Sequence, residues 1–218
     1  MSEVIVDTLK HSGNSSTANV TLASGGGVTV ADTLTVPTKK LVCPGTIIQV
    51  QNTTFTTNAT TSMTDSDVYY TVTDLNCTIT PTTNTNKILM SGHVFGETGL
   101  REHYFSWRLA RTISGGSLTP IGINTHSSPG NRSISTGGFA MHYYDDQNST
   151  PSSVAIPNFL DSPSTTSATT YHFQVMSAVD GGTPAATYYL NHTVGDASNT
   201  DSSHERGASW ITLMEVAA

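Results

Sequence analysis

The residues best equipped for chemistry fall in one short stretch, Tyr143-Tyr144-Asp145-Asp146-Gln147-Asn148. Adjacent carboxylates and amides on a turn offer the hard oxygen ligands that calcium takes. Neighbouring Asp residues on a strand point to opposite faces, however, so the two carboxylates meet on a cation only if the turn folds sharply. A solvated β-turn is preferred to a metal site. If the chain binds a glycan, the expected contacts are Tyr143, Tyr144, Asp145, Asp146 and Asn148, which place stacking faces, acceptors and an amide within one turn. Tyr188 and Tyr189 are further stacking candidates, although aromatic rungs within a sheet account for them better.

Other constellations are weaker. Asp65-Ser66-Asp67 lacks the Gly and distal Glu of a calcium loop. No GxSxG pentapeptide places a serine on a strained turn, and GxGxxG and GxxxxGK are missing too. The triplet Gly25-Gly26-Gly27 precedes no helical pattern that would cap a phosphate. The two Cys and eight His show neither CxxC nor HxxxH spacing, which argues against zinc. Glu205-Arg206-Gly207 reads as a positional turn, with Arg206 reaching a nearby acid. No catalytic residue, metal or cofactor is expected.

Composition points the same way. Charged residues make up 11% of the 218, against about 25% in ordinary soluble domains. Thr, Ser, Asn and Gly take their place, so the surface is neutral and hydroxyl-rich and leaves β-prone faces free to pack on copies of the same chain. A formal net charge of −7 with nine scattered Lys and Arg excludes phosphate-backbone binding. No run of eighteen apolar residues predicts membrane insertion. The start MSEVIVDTLK lacks a secretory pattern, so a cytosolic life before assembly or release is expected, with Cys43 and Cys77 as free, buried thiols. Triplets such as Asn58-Ala59-Thr60 then carry no weight as glycosylation sites.

The elements that must position these residues are strands. Residues 1–44 hold short extended pieces between Gly and Ser clusters, none able to bury much alone, and are expected to be ordered by docking or by pairing with partner chains. Pro37 to Gly45 marks a boundary, so a compact domain is expected over 45–218. Within it, strands are predicted at Thr46–Gln51, Val68–Thr73, Asn76–Thr80, Lys87–Phe95, His103–Ile113, Gly138–Asp145, Ser153–Phe159, Thr169–Val179, Thr187–Thr193 and Ala208–Val216. Their number and spacing suit an antiparallel β-sandwich or jelly roll, with helix content minimal.

Alternation assigns faces to several of these strands. Phe105, Trp107 and Leu109 share one face, opposite Ser106, Arg108 and Ala110. Tyr171, Phe173 and Val175 share another, with His172, Gln174 and Met176 on a polar, solvent-facing side. The last strand reads as double-sided: Trp210 and Met214 against Ile211, Leu213 and Glu215. It is therefore expected to be central or inter-subunit, with Trp210 and Met214 at an oligomer interface.

The repetitive start VDTLKHSGNSSTANVTLASGGGVTV, the opening GTIIQVQN, the internal KILMSGHVFGE, FLDSP followed by TYHFQVM, and the ending ERGASWITLMEV carry a resemblance over nearly the whole chain. Together they resemble tail-fibre and other virion structural proteins of marine bacteriophages, including phages of cyanobacteria. The resemblance implies an N-terminal docking or stalk segment, a C-terminal β-sandwich head and a homotrimer. Its partners would be other virion proteins and a host surface polysaccharide, with assembly in the host cytoplasm into the virion. A short tail fibre or knob is the first expectation. A capsid or tail decoration protein without receptor binding is the second, since no coiled-coil or collagen repeat supplies a shaft.

Overall fold

The computed structural model describes residues 43–99, 105–123, 134–139, 151–177, 186–195 and 204–218. Nearly all of the expected docking segment lies outside them. Among the described residues eleven strands follow one another: β1 Ile47–Phe55, β2 Ala59–Met63, β3 Tyr70–Ile79, β4 Lys87–Thr98, β5 Phe105–Ile113, β6 Leu118–Ile121, β7 Gly137–Gly138, β8 Ser152–Asp161, β9 Thr169–Ser177, β10 Ala186–Leu190 and β11 Ser209–Val216. There is no α-helix among the described residues.

Every pairing between strands is antiparallel. The first sheet runs β1-β11-β4-β8, and β10, which carries β2, continues the line of β11 along β4. The second sheet runs β3-β9-β5-β6, with β7 extending the line of β6. Without the short insertions β2, β7 and β10, eight strands remain in the order 1-11-4-8 facing 3-9-5-6. That order is a jelly roll, a double-sheet sandwich that winds two Greek keys together. The all-β antiparallel sandwich expected from the sequence is the architecture observed.

Alternation explains the core. Phe105, Trp107, Leu109, Tyr171, Phe173 and Val175 point inward from the second sheet. Ile88, Met90, Val94, Ile211 and Leu213 meet them from the first. Trp107 stacks on Phe173 at 5.4 Å between ring centroids. Burying one such large side chain stabilises the fold by about 1.5–3 kcal/mol, so these inward rows set the register of both sheets.

Several expectations change. The segments Val68–Thr73 and Asn76–Thr80 form one strand, β3, interrupted where its register shifts between Thr71 and Asn76 and Asp74 adopts φ 66°. An irregularity of this kind re-aims the strand without ending it. Gln174 and Met176 are not solvent-facing: both are buried, at 1% exposure. Of the expected strand Gly138–Asp145, Gly138 ends the two-residue β7 and Phe139 lies past it; residues 140–150 lie outside the described set. β10 stops at Leu190, before the expected Thr193, because Asn191 turns left-handed at φ 65°. The Thr-rich β2 and the short β6 were not expected. Each is held by its partner, β10 or β5, more than by a pattern of its own.

The entry to the sandwich is the turn Cys43-Pro44-Gly45-Thr46, closed by the Thr46 N–H on the Cys43 carbonyl at 2.9 Å. Proline presets its second position, and Gly45 at φ 86° supplies the left-handed third. Both cysteines are free, as expected, but Cys43 is exposed, at the first position of the turn before β1; Cys77 alone is buried.

Candidate functional site

The buried charges come first, since they are where catalysis would reside. Glu215 is fully buried at the end of β11 and accepts four hydrogen bonds: from Gln49 Nε2, the Thr82 N–H and hydroxyl, and Asn86 Nδ2, at 2.6–2.7 Å. Burial alone would raise its pKa. The donors from Asn86, Gln49 and Thr82 outweigh burial and hold it below the usual carboxylate range. Asp161 takes an ion pair from Arg111 and a hydrogen bond from the Tyr171 hydroxyl at 2.7 Å, joining the two sheets. Burial, followed by the neighbouring Asp161, pushes the Tyr171 hydroxyl far upward. These carboxylates are structural fasteners whose oxygens are already occupied.

A second buried network lies around Asn191. Its side-chain amide donates to the carbonyls of Phe55 and Thr57, and its oxygen accepts from the Ser209 hydroxyl at 2.7 Å. Gly207 donates its N–H to the Asn191 carbonyl and packs flat on Phe95, where an added Cβ would sit 2.4 Å from the ring. Gly207 thus has a positional role in Glu205-Arg206-Gly207, next to the bridge that Arg206 makes to His192.

The outward faces of the two sheets differ. On the second sheet, Arg108 lies 3.8 Å over the Tyr69 ring and donates to Gln174, which in turn donates to Thr71. The Tyr69 hydroxyl meets Ser106 at 2.8 Å, and Thr112 meets His172. Polar side chains thus bind one another across three strands, and Gln174, Met176 and Ala110 beneath them are buried.

The first sheet presents three rows across β1, β11, β4 and β8. Thr54, Trp210, His93 and Ala155 form one; Asn52, Thr212 and Ser91 the next; Val50, Met214, Leu89 and Leu160 the third. Trp210 is 40% exposed, Val50 52% and Leu160 47%. Trp210 and His93 stand stacked with centroids 4.6 Å apart. Asn52 links two of these rows: Thr54 donates to it at 3.0 Å, and it donates to Thr212 at 2.8 Å. None of these three rows holds an Asp, Glu, Lys or Arg.

Trp210 and Met214 both fall on this open face, and β11 is central in its sheet, flanked by β1 and β4. Tyr143, Tyr144, Asp145, Asp146 and Asn148 lie outside the described residues. Tyr188 is fully buried beside Phe139 and offers no stacking face, while Tyr189 meets His192 edge-on. Asp65 is a turn residue that accepts from Tyr70 at 2.6 Å and from Thr64, contacts that lower its pKa. Among the described residues no group of three or more His, Cys, Asp or Glu gathers to hold a metal. Burial raises the Cys77 thiol, which keeps it unreactive. Nothing in the sequence marked the open face as a unit except Trp210 and Met214, because its rows draw on four separate segments.

No family model and no curated protein matches the chain. Among solved structures it is similar to a chain from the infectious bursal disease virus Gt strain, with TM-score 0.40 and 9% identity over 85% of this chain and 46% of that one. It is similar also to the infectious bursal disease virus VP2 subviral particle, with TM-score 0.38 and 10% identity over 87% of this chain and 43% of that one. The chain therefore spans less than half the length of either.

Proposed function

We propose that this chain is a non-enzymatic structural protein of a bacteriophage virion, built to associate with copies of itself and with other virion proteins. The observation that carries the reading is the contrast inside the jelly roll. Its carboxylates Glu215 and Asp161 are consumed in fastening strands, whereas a sheet face with exposed Trp210, Val50 and Leu160 is left open. An enzyme of this class would need acids facing a groove; a scaffold needs surfaces that cover one another. The sequence resemblance supports a virion setting, and jelly rolls serve capsid proteins as well as lectins.

The finer reading is a short tail fibre or knob, a homotrimer docked through residues 1–44 and touching a host surface glycan through Tyr143 to Asn148. The second reading is a capsid or tail decoration protein without receptor binding, for which the exposed Trp210, Val50 and Leu160 would serve as a contact surface. Quantitative mass spectrometry of gradient-purified particles of the encoding phage tests both. A few copies per particle are expected for a fibre or knob and many for a decoration; absence of the chain from purified particles refutes the virion assignment.

A further inference from the structure

We infer that the outward face of the first sheet is a two-fold contact between copies of this chain, in which the Trp210–His93 ridge of each copy packs on the Val50–Met214–Leu89–Leu160 row of the other. The inference rests on the structural reading above and deepens it by naming the surface. Several observations select a second copy over other occupants.

Charge is the first. A two-fold contact sets each face against itself, so any formal charge near the axis would oppose its own image. These three rows hold no Asp, Glu, Lys or Arg, and Lys87 sits at the margin opposite Val216. Hydrogen bonding is the second. A glycan is recognised by donors and acceptors aimed outward, but Asn52, Thr54 and Thr212 are spent on one another. The Asn52–Thr212 part of the middle row is therefore already satisfied, fit to be covered by carbon. Shape is the third. An axis running across the strands along that middle row brings the aromatic ridge of one copy onto the apolar row of the other, including Met214, whose thioether suits an aromatic face.

Size sets the strength. Four strands about 4.8 Å apart and some 20 Å of strand length give a footprint of roughly 400 Å², about half of the ~800 Å² per partner of a standard stable interface. The contact is thus weak alone and is reinforced when many copies close an assembly. It adds to any three-fold association and does not replace it.

Sedimentation velocity on the full chain tests the inference. The expected result is a reversible doubling of the base species, whether monomer or trimer, somewhere between about 1 µM and 1 mM, the range of weak interfaces. Val50→Glu, and separately Leu160→Glu, shift the midpoint upward by about tenfold or more because the new charge is buried without a partner against the other copy's ridge row. Leu118→Glu, which alters an equally exposed residue on the second sheet, leaves the midpoint unchanged. Circular dichroism melts confirm that each variant folds. A fixed trimer that never doubles, or doubling unaffected by both glutamates, overturns this contact while self-association stands. A wild-type monomer at every concentration overturns both. Trp210 emission, obtained by difference from Trp210→Phe and already buried at nanomolar concentration, would assign the face to the chain's own first 42 residues. A shift of that emission only on adding host polysaccharide would assign it to a glycan; either outcome rejects the second copy.

Discussion

The two sheets of this sandwich share a core and differ on the outside. The second sheet closes its outward face with its own side chains: Arg108 reaches Tyr69 and Gln174, Gln174 reaches Thr71, and the strands beneath are buried. On the first sheet the aromatic and apolar side chains Trp210, Val50 and Leu160 stay exposed, and the polar ones satisfy each other in a row between them. A polar network that is complete within the chain stabilises the monomer; an apolar row without a cover leaves stability to be gained from contact. The difference places the proposed contact on the first sheet.

Substitutions should divide along that line. The largest effect is expected at Glu215, which fastens the edge strand of the open face to the Thr82–Asn86 turn. Glu215→Ala strands donors from Gln49, Thr82 and Asn86, at a cost of about 3–5 kcal/mol, or roughly 10 °C in melting temperature for a domain of this size. The same group sets an acid limit. Its pKa is lower in the folded chain than in the unfolded one, so its contribution is present above the ordinary carboxylate value of about 4.3. That contribution is lost as pH falls through the folded value. Melting curves from pH 7 to pH 3 should fall steeply at the acid end in the wild type and less steeply in Glu215→Gln.

On the closed face, Gln174→Ala leaves the Arg108 guanidinium and Thr71 without their shared partner. A loss of about 2–3 kcal/mol is expected in denaturant titration, with no change in association. Trp210→Ser on the open face should reverse that pattern, costing about 1 kcal/mol or less, since the ring is already part-exposed, while weakening self-association. The smallest effect on folding belongs to Val50→Glu, within about 0.5 kcal/mol. If Gln174→Ala changes association, or Trp210→Ser unfolds the chain, the contrast between the faces fails.

Much of the sandwich was legible in the sequence because period-two alternation is local. Phe105, Trp107 and Leu109 announce an inward row, and Trp210 and Met214 separate from Ile211, Leu213 and Glu215 within eight residues. What depends on distant segments was not legible. Gln174 and Met176 sit at alternating polar positions yet are buried, Gln174 because Arg108 and Thr71 arrive from other strands. Glu215 resembles an ordinary strand-end acid until Gln49, Thr82 and Asn86 converge on it. The jelly-roll order itself, and the row Val50–Met214–Leu89–Leu160, exist only once β1, β11, β4 and β8 are side by side. The receptor-contact assignment to Tyr143, Tyr144, Asp145, Asp146 and Asn148 remains an expectation from residue chemistry alone.

The most direct test is electron cryomicroscopy of the intact particle at side-chain resolution. The expected density is a jelly roll with strands in the order 1-11-4-8 over 3-9-5-6, present in repeated copies, with Trp210 of one copy covered by Met214 and Leu160 of another. Particles in which this fold is missing, or in which every copy turns the Trp210 face to solvent and meets its neighbours through the Arg108–Gln174 face, would contradict it.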